Sequence, residues 1–340
     1  MTHDSGDRRF TVPPSLSGRP LDGALKTLGE YSWGDARKLI ARGKVKVGGA
    51  VVVDGERRLR TGDVIEINPR APRPTTGFAI DRTHLVYVDP HIVVVNKPAG
   101  ISTVPYEAGE RGTLDQLVAE LLPRSRGKGP PASLGVVQRL DKETSGLLVF
   151  ARTFGAKKAL GAQLRAHTVH RRYLAIVHGR VEKTTFRTHL AKNRGDGLRG
   201  TSRFGREGQL AVTHVEPVRA LPGATLVACR LETGRTHQIR IHLAEAGHPI
   251  LGERVYIRDY QGTQLPAARP MLHAAELGFN HPLRGAPMKF EIPPPSDFED
   301  TMERLAAHPK ADVGDAFPPG ASPKPASPSD VGARARFRRR

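Results

Sequence analysis

Apolar and polar residues alternate along residues 19–68 in a pattern that predicts two short helices followed by strands. The first helix is expected over residues 21–28, and the second over residues 33–42. Ser32 can cap the second helix and Gly43 can end it. Three short apolar runs then predict strands at residues 44–47, 51–53 and 63–67. The spacing therefore predicts a small domain of helices and strands.

One face of the second helix is apolar and the opposite face is basic. The sequence RGKVKVGGAVV, followed by LRTGDVIEI, resembles the small RNA-binding module that a ribosomal small-subunit protein shares with tyrosyl-tRNA synthetase. Such a module presents basic side chains to the RNA backbone. The alternative is a solvated helix face on a structural domain. We predict RNA contacts for five residues: Arg37, Lys38, Arg42, Lys44 and Lys46.

A proline-rich stretch at residues 69–79 predicts a linker to a larger domain over residues 80–308. Strand patterns dominate that domain, and helices fall between groups of strands rather than alternating with them. This order predicts an α+β fold, with a central, largely antiparallel mixed β-sheet flanked by helices. The small α/β-type RNA-binding module precedes it. Residues 1–18 are expected to be a flexible lead-in, and residues 309–340 a disordered basic tail.

The charge balance points to a polyanionic partner. The 340-residue chain has 53 lysines and arginines against 34 acidic residues, a net charge of +19. Such an excess favours nucleic acid over an anionic membrane. No apolar run is long enough to span a bilayer, residues 1–10 lack the apolar core of a secretion signal, and there is one cysteine. We expect a cytoplasmic, RNA-handling protein that is a monomer.

Several reaction chemistries lack the residues they need. His237 and His242 lie five positions apart on a predicted helix, hence on different faces, and no HExxH sequence occurs. We therefore expect no metal site. No phosphate-binding or dinucleotide-binding glycine motif is present, and the sequence around Ser145 is not a nucleophile elbow. A site of acid and arginine remains, without an evident cofactor.

Five separated motifs carry a specific resemblance. They are NKPAG at residues 96–100, QRLDKETSGLLVFA at 138–151, RRYLAIVHG at 171–179, LETGRTHQIRIHLAEAGHPILGE at 231–253 and RPMLHAAELGF at 269–279. In this order they resemble the RluA family of RNA pseudouridine synthases over residues 80–305. The family usually has histidine where this chain has Gln138, which leaves the role of that side chain open.

The resemblance implies roles for individual residues. Asp141 matches the catalytic aspartate of the family, and Arg240 matches the basic residue that pairs with it. Tyr173 matches the tyrosine that stacks on the target base, and its hydroxyl is a candidate for assisting proton removal from C5. Taken alone, a strand tyrosine more often packs in a core, and Arg240 would be a surface helix residue. The resemblance also suggests five substrate-binding residues: Arg139, Ile239, Asn96, Lys97 and His237.

The expected reaction isomerises uridine to pseudouridine. It breaks the N1–C1′ bond and rejoins the base through C5 without a change of oxidation state, so the family resemblance implies no cofactor. The carboxylate either attacks C1′ or removes a ribose proton to give a glycal, and the sequence does not choose between these routes. We expect ribosomal RNA as substrate, with transfer RNA as the alternative. The rival interpretation is a non-catalytic RNA-binding or ribosome assembly factor that retains the fold.

Overall fold

A computed structural model describes residues 8–53, 55, 57–71, 80–106, 110–122, 133–194, 197–202 and 208–307. Most of the predicted linker, residues 72–79, and the predicted basic tail, residues 309–340, lie outside the described residues. Across the described ranges, no helix is both long and apolar enough to cross a bilayer.

The N-terminal module contains two helices packed on a four-stranded antiparallel sheet. The elements are β1 (Arg8–Thr11), α1 (Leu21–Gly29), α2 (Trp33–Ala41), β2 (Val45–Val47), β3 (Ala50–Val52) and β4 (Val64–Ile67). The strand order is β1-β4-β2-β3. The Ser32 hydroxyl accepts a hydrogen bond from the Asp35 amide at 3.1 Å, as the predicted cap of α2 requires. The apolar faces of both helices and the sheet share one buried core.

Residues 8–18 correct the predicted flexible lead-in. Strand β1 pairs with β4 from Arg8 opposite Ile67 to Thr11 opposite Val64. Val12 and Leu16 are buried in the module core. The sequence pattern missed this because the strand is short and its side chains are mostly polar. The edge strand and its buried anchors therefore extend the module to residue 8.

The second domain is built on one mixed sheet of eleven strands. The strands are β5 (Leu85–Val88), β6 (Ile92–Lys97), β7 (Gly135–Val136), β8 (Ser145–Ala151), β9 (His170–His178), β10 (Thr184–Ala191), β11 (Gly200–Thr201), β12 (Gln209–Leu221), β13 (Ala224–Leu231), β14 (Leu272–Asn280) and β15 (Pro287–Glu291). The order is β11-β10-β12-β13-β9-β14-β8-β6-β5, with β15 on β14 and β7 on β8. Among these pairs only β8 and β14 run parallel. The predicted α+β fold with a largely antiparallel mixed sheet is confirmed.

Four helices accompany this sheet: α3 (Leu114–Leu121), α4 (Phe154–Arg165), α5 (Gln238–Glu245) and α6 (Ser296–Ala307). Strand β8 is buried along its whole length because both of its faces are covered. Leu148 and Phe150 pack into the core that includes α3, and Leu147 and Val149 into the core that includes α4. The continuous apolar run after residue 146 is thus a central strand.

Gly146 fixes the point at which β8 joins β14. Its φ is +116°, and a Cβ at this position would lie 2.3 Å from the carbonyl oxygen of Ala274. Any other residue would push the two parallel strands apart. The loop that leads into β8 is therefore held at a fixed place on the sheet.

Candidate active site

A cavity of about 1100 Å³ lies between the loop before β8, strand β9 and the start of α5. Its wall carries more cationic than acidic side chains. The cationic ones are Arg139, Lys142, Arg165, Arg171, Arg235, Arg240, Arg254 and Arg269, and the acidic ones are Asp141 and Glu143. Such a lining suits a polyanionic ligand.

Asp141 stands on the loop that enters β8, and its backbone neighbours are tied down. The Thr103 hydroxyl donates to the Leu140 carbonyl at 2.8 Å and accepts from the Leu140 amide at 3.1 Å. On the other side, Arg269 donates to the Glu143 carbonyl at 3.1 Å. The Thr144 amide closes a turn onto the carbonyl of Asp141 at 3.1 Å. The carboxylate is therefore presented by a rigid loop.

Lys97 stabilises the same loop through hydrogen bonds to backbone carbonyls. Its ammonium donates to the carbonyl oxygens of Pro98 at 2.9 Å, Ile101 at 2.8 Å and Lys142 at 2.9 Å. The side chain is fully buried, and burial lowers its pKa to about 7, with Glu143 and Asp141 opposing that shift. The predicted substrate contact is corrected, because every donor of Lys97 is already bonded to the backbone.

Arg240 bridges two carboxylates. Its Nη1 donates to Asp141 Oδ2 at 3.4 Å, which brings together two of the predicted catalytic residues. Its Nε and Nη2 donate to Glu253 at 2.7 and 2.8 Å. Burial alone would lower the pKa of Arg240, but pairing with Glu253 raises it overall. The guanidinium is thus a permanent cation held in a fixed orientation.

Glu253 was not identified from the sequence. Its side chain has no exposed surface, and one oxygen also accepts the backbone amides of Arg254 at 3.0 Å and Val255 at 2.8 Å. Burial alone would raise its pKa, but the hydrogen bond and charge of Arg240 lower it overall. Its position at the end of the motif LETGRTHQIRIHLAEAGHPILGE was the available signal.

His237 is a second neighbour of the Asp141 carboxylate, and Tyr256 is bonded to His237. His237 precedes α5 in the left-handed conformation, with φ of 59°, and its Nε2 lies 3.9 Å from Asp141 Oδ1. The Tyr256 hydroxyl is hydrogen-bonded to His237 Nδ1 at 2.7 Å. Burial lowers the pKa of His237, with Asp141 opposing, and burial raises that of Tyr256 to about 12. The predicted site residue His237 thus lies beside Asp141.

Tyr173 is half-buried in β9 and lines the cavity with Arg139 and Gln138. Burial raises the pKa of Tyr173, Arg171 opposes this, and Asp141 adds to it. The hydroxyl is therefore held in its neutral form. Arg139 is exposed and lines the cavity.

Two further predicted substrate-binding residues are corrected. Ile239 is buried in the main hydrophobic core with Leu243 and lies outside the cavity wall. Asn96 lies within β6 opposite Leu147, also outside the wall. Adjacent helix residues point about 100° apart, which is consistent with Arg240 facing the cavity and Ile239 facing the core.

The five residues predicted to bind RNA in the module differ in exposure. Arg37, Lys38 and Lys46 are exposed, although Arg37 donates to buried Asp22 at 2.8 Å. Arg42 is half-buried, with its guanidinium 5.9 Å from the centre of the Tyr106 ring. Lys44 corrects the prediction, because it is buried and donates to the carbonyl of Ala71.

No group of three or more potential metal ligands occurs in the described part of the chain. His242, one of the two histidines that suggested a metal site, is buried in α5. It is hydrogen-bonded to the hydroxyls of Thr188 and Thr213, each at 2.9 Å. Both of its ring nitrogens are thereby occupied, which gives it a structural role.

Comparison with known proteins identifies one family that this chain resembles. A model of the family described as RNA pseudouridylate synthase matches residues 91–245. Ribosomal large subunit pseudouridine synthase D of Zymomonas mobilis is 36% identical over 316 residues, covering 87% of this chain and 97% of that protein. The protein of the same name from Xylella fastidiosa is 37% identical over 314 residues, covering 88% of this chain and 92% of that protein.

A solved structure shows a similar fold. Human RNA Pseudouridylate Synthase Domain Containing 4 superposes with a TM-score of 0.54 at 23% identity. The match covers 66% of this chain and 93% of that one.

Proposed function

We propose that this chain, which belongs to the RNA pseudouridylate synthase family, isomerises uridines of ribosomal RNA to pseudouridine. In this proposal Asp141 is the catalytic carboxylate. The single observation that supports this role is the contact of Asp141 with Arg240 in a basic cavity. Ribosomal RNA is favoured over transfer RNA because the Zymomonas and Xylella relatives are named for the large ribosomal subunit. A ribosomal substrate implies a cytoplasmic location.

Asp141 would act at the ribose of the flipped nucleotide. Breaking the N1–C1′ bond leaves the electron pair on the uracil, which rotates and bonds through C5. The carboxylate either attacks C1′ or accepts a ribose proton, and both routes need it ionised. Arg240 holds the carboxylate in place by charge and by a hydrogen bond. The reaction is an isomerisation that changes neither the composition nor the oxidation state of the nucleotide, so it requires no redox cofactor. A single chain supplies the groups named.

Tyr173 would serve as the stacking surface for the flipped base. Removing a base from its stack costs about a few kcal/mol, and stacking on an aromatic ring returns about 1–3 kcal/mol. The raised pKa of Tyr173 favours this use over direct proton removal from C5, because a neutral phenol must lose its own proton first. Arg139 would occupy the space that the base leaves in the RNA.

The deciding experiment is tritium release from ribosomal RNA that carries 5-tritiated uridine. We expect release by the wild type, and none above background by Asp141→Ala or Asp141→Asn. Glu291→Gln removes an exposed carboxylate outside the cavity and should retain wild-type release. No release by the wild type from ribosomal or transfer RNA would favour the non-catalytic RNA-binding alternative. Activity in Asp141→Asn would disprove the assignment of this residue.

A further inference from the structure

Several arginines in the cavity wall have no carboxylate partner among the described residues, and two of them lie close enough to repel each other. These two are Arg171 on β9 and Arg235 in the loop before α5. Arg235 donates through Nε to the carbonyl of Leu210 at 3.0 Å and is half-buried. Arg171 is more deeply placed, with 7% of its surface exposed. Two neighbouring cations without a counter-charge are costly unless a ligand supplies the negative charge.

The guanidinium of Arg171 is only partly satisfied by the protein. Its Nη2 donates to the carbonyl of Glu232 at 2.9 Å. Its Nε is buried without any hydrogen-bond partner in the described structure. Burial lowers the pKa of Arg171, Tyr173 opposes this, and Arg235 lowers it further. The protein thus keeps a desolvated guanidinium with a free donor beside Tyr173.

The position of Arg171 along β9 relates it directly to the base-stacking tyrosine. Residues two apart on a strand project from the same face, so Arg171 and Tyr173 face the cavity together. Arg172, between them, projects from the opposite face and donates to Glu276 at 2.8 Å. Adjacent arginines on one strand therefore differ sharply: one is paired with a carboxylate and the other is not.

Gly234 packs directly against this guanidinium. A Cβ at residue 234 would lie 2.7 Å from Nη1 of Arg171, too close for the guanidinium to keep its place. Gly234 is not among the glycines with a left-handed φ, so the close approach of Nη1, and not the backbone conformation, disfavours a larger residue here. Both residues line the cavity, so the guanidinium lies at a wall that a ligand can reach.

We infer that Arg171 and Arg235 bind a phosphodiester of the RNA next to the flipped nucleotide. This inference rests on the proposed function, since it names a contact to the RNA substrate in the same cavity. An anionic phosphate oxygen supplies the missing counter-charge, and arginine forms short, charge-assisted hydrogen bonds to it. A uracil carbonyl would need only one donor and no charge, whereas two unpaired cations favour an anion. The contact would hold the nucleotide in register over Tyr173.

Three variants test the site by RNA binding across a range of salt concentrations. Arg171→Met keeps the apolar stem and removes the charge, and Arg171→Lys keeps the charge. Gly234→Ala adds a Cβ that would displace Nη1 of Arg171. We expect Arg171→Met to weaken binding about tenfold to hundredfold. The slope of log affinity against log salt should fall by about 0.7–0.9. Arg171→Lys should recover part of the loss, and Gly234→Ala should show a smaller loss.

The matched control is Arg172→Met, which removes a charge from the adjacent residue outside the cavity wall. Its salt slope should equal that of the wild type. A ribosomal RNA fragment with one neutral methylphosphonate beside a modified uridine tests the ligand. The wild type should bind it as weakly as Arg171→Met binds unmodified RNA, and Arg171→Met should lose nothing more.

Three outcomes would overturn the inference. If Arg171→Met binds RNA with unchanged affinity and salt slope but releases tritium more slowly in a single turnover, Arg171 contacts the base and not a phosphate. Unchanged RNA binding with a lower melting temperature would assign it a structural role. Full affinity of the wild type for all methylphosphonate positions flanking the uridine would exclude the phosphate, even if Arg171→Met fails to fold. RNA binding is measured independently of turnover. A wild type that binds RNA but releases no tritium would contradict the proposed function and not the phosphate contact.

Discussion

Glu253 holds Arg240 more closely than Asp141 does. The two Arg240–Glu253 hydrogen bonds measure 2.7 and 2.8 Å, whereas the Arg240–Asp141 contact measures 3.4 Å. The buried pair therefore fixes the guanidinium, and the remaining Nη1 reaches the proposed catalytic carboxylate. Asp141 keeps one oxygen near His237 and 27% of its side chain exposed, which leaves it accessible to a substrate.

Glu253→Gln should slow the reaction without removing any group that contacts the RNA. Loss of the buried counter-charge lets Arg240 move toward Asp141, and a displacement near 1 Å can lower the rate on the order of a hundredfold. Breaking a buried ion pair also costs about 3–5 kcal/mol of folding stability. We expect the low end of this range, because the glutamine amide still offers one acceptor oxygen to Arg240. Single-turnover tritium release and urea unfolding measure the two effects.

The control for this variant is Glu245→Gln, which changes an exposed acid on α5, the helix of Arg240, that pairs with Arg194. It should change neither rate nor stability by more than a small amount. A Glu253→Gln enzyme with the wild-type single-turnover rate would show that Arg240 needs no positioning by Glu253.

Lys97→Met should lower the rate of catalysis while leaving RNA affinity nearly unchanged. The variant leaves three carbonyl oxygens without their donor, and the buried one, on Ile101, costs about 1–3 kcal/mol when unsatisfied. One of those carbonyls belongs to Lys142, next to Asp141, so the loop loses rigidity. Urea unfolding, RNA binding and tritium release separate the effects, with exposed Lys158→Met as control. A reduced salt slope for RNA binding would instead restore Lys97 as a substrate contact.

The sequence predicted the fold class, the buried strand β8 and the pairing of Asp141 with Arg240. It could not predict which side of α5 faces the cavity, because that depends on the left-handed residue His237 at its start. The family resemblance predicts Ile239 in the site, whereas it lies in the core. The two resemblances also predict ligand contacts for Lys97 and Lys44, whereas each ammonium donates hydrogen bonds to backbone carbonyls.

Lys46 and Lys44 should behave differently when they are neutralised. Lys46 is exposed on β2, whereas Lys44 is buried with its ammonium bonded to the Ala71 carbonyl. If the module binds the RNA backbone, Lys46→Ser should lower the salt slope of RNA binding by about 0.7–0.9. Lys44→Met should leave the slope unchanged and lower stability. Equal slopes for the wild type and Lys46→Ser would remove Lys46 from the interface.

Asp89 should stabilise the second domain at neutral pH and lose this effect in acid. It lies in the turn between β5 and β6, where Oδ1 accepts the amides of His91 at 2.7 Å and Ile92 at 2.8 Å. Oδ2 contacts His281 Nε2 at 2.7 Å. Burial alone would raise the pKa of Asp89, but these hydrogen bonds lower it to about 2.

Because the folded pKa of Asp89 lies below its ordinary value of 3.8, its contribution is present above about pH 4 and is lost as the pH falls toward 2. The free energy of unfolding of the wild type should therefore exceed that of Asp89→Asn at pH 7. This difference should shrink by about 2 kcal/mol on acidification to pH 2. Urea unfolding of both proteins at several pH values measures it. A difference that stays constant between pH 7 and pH 2 would mean that the amide of asparagine replaces the carboxylate fully, and that charge contributes nothing to this turn.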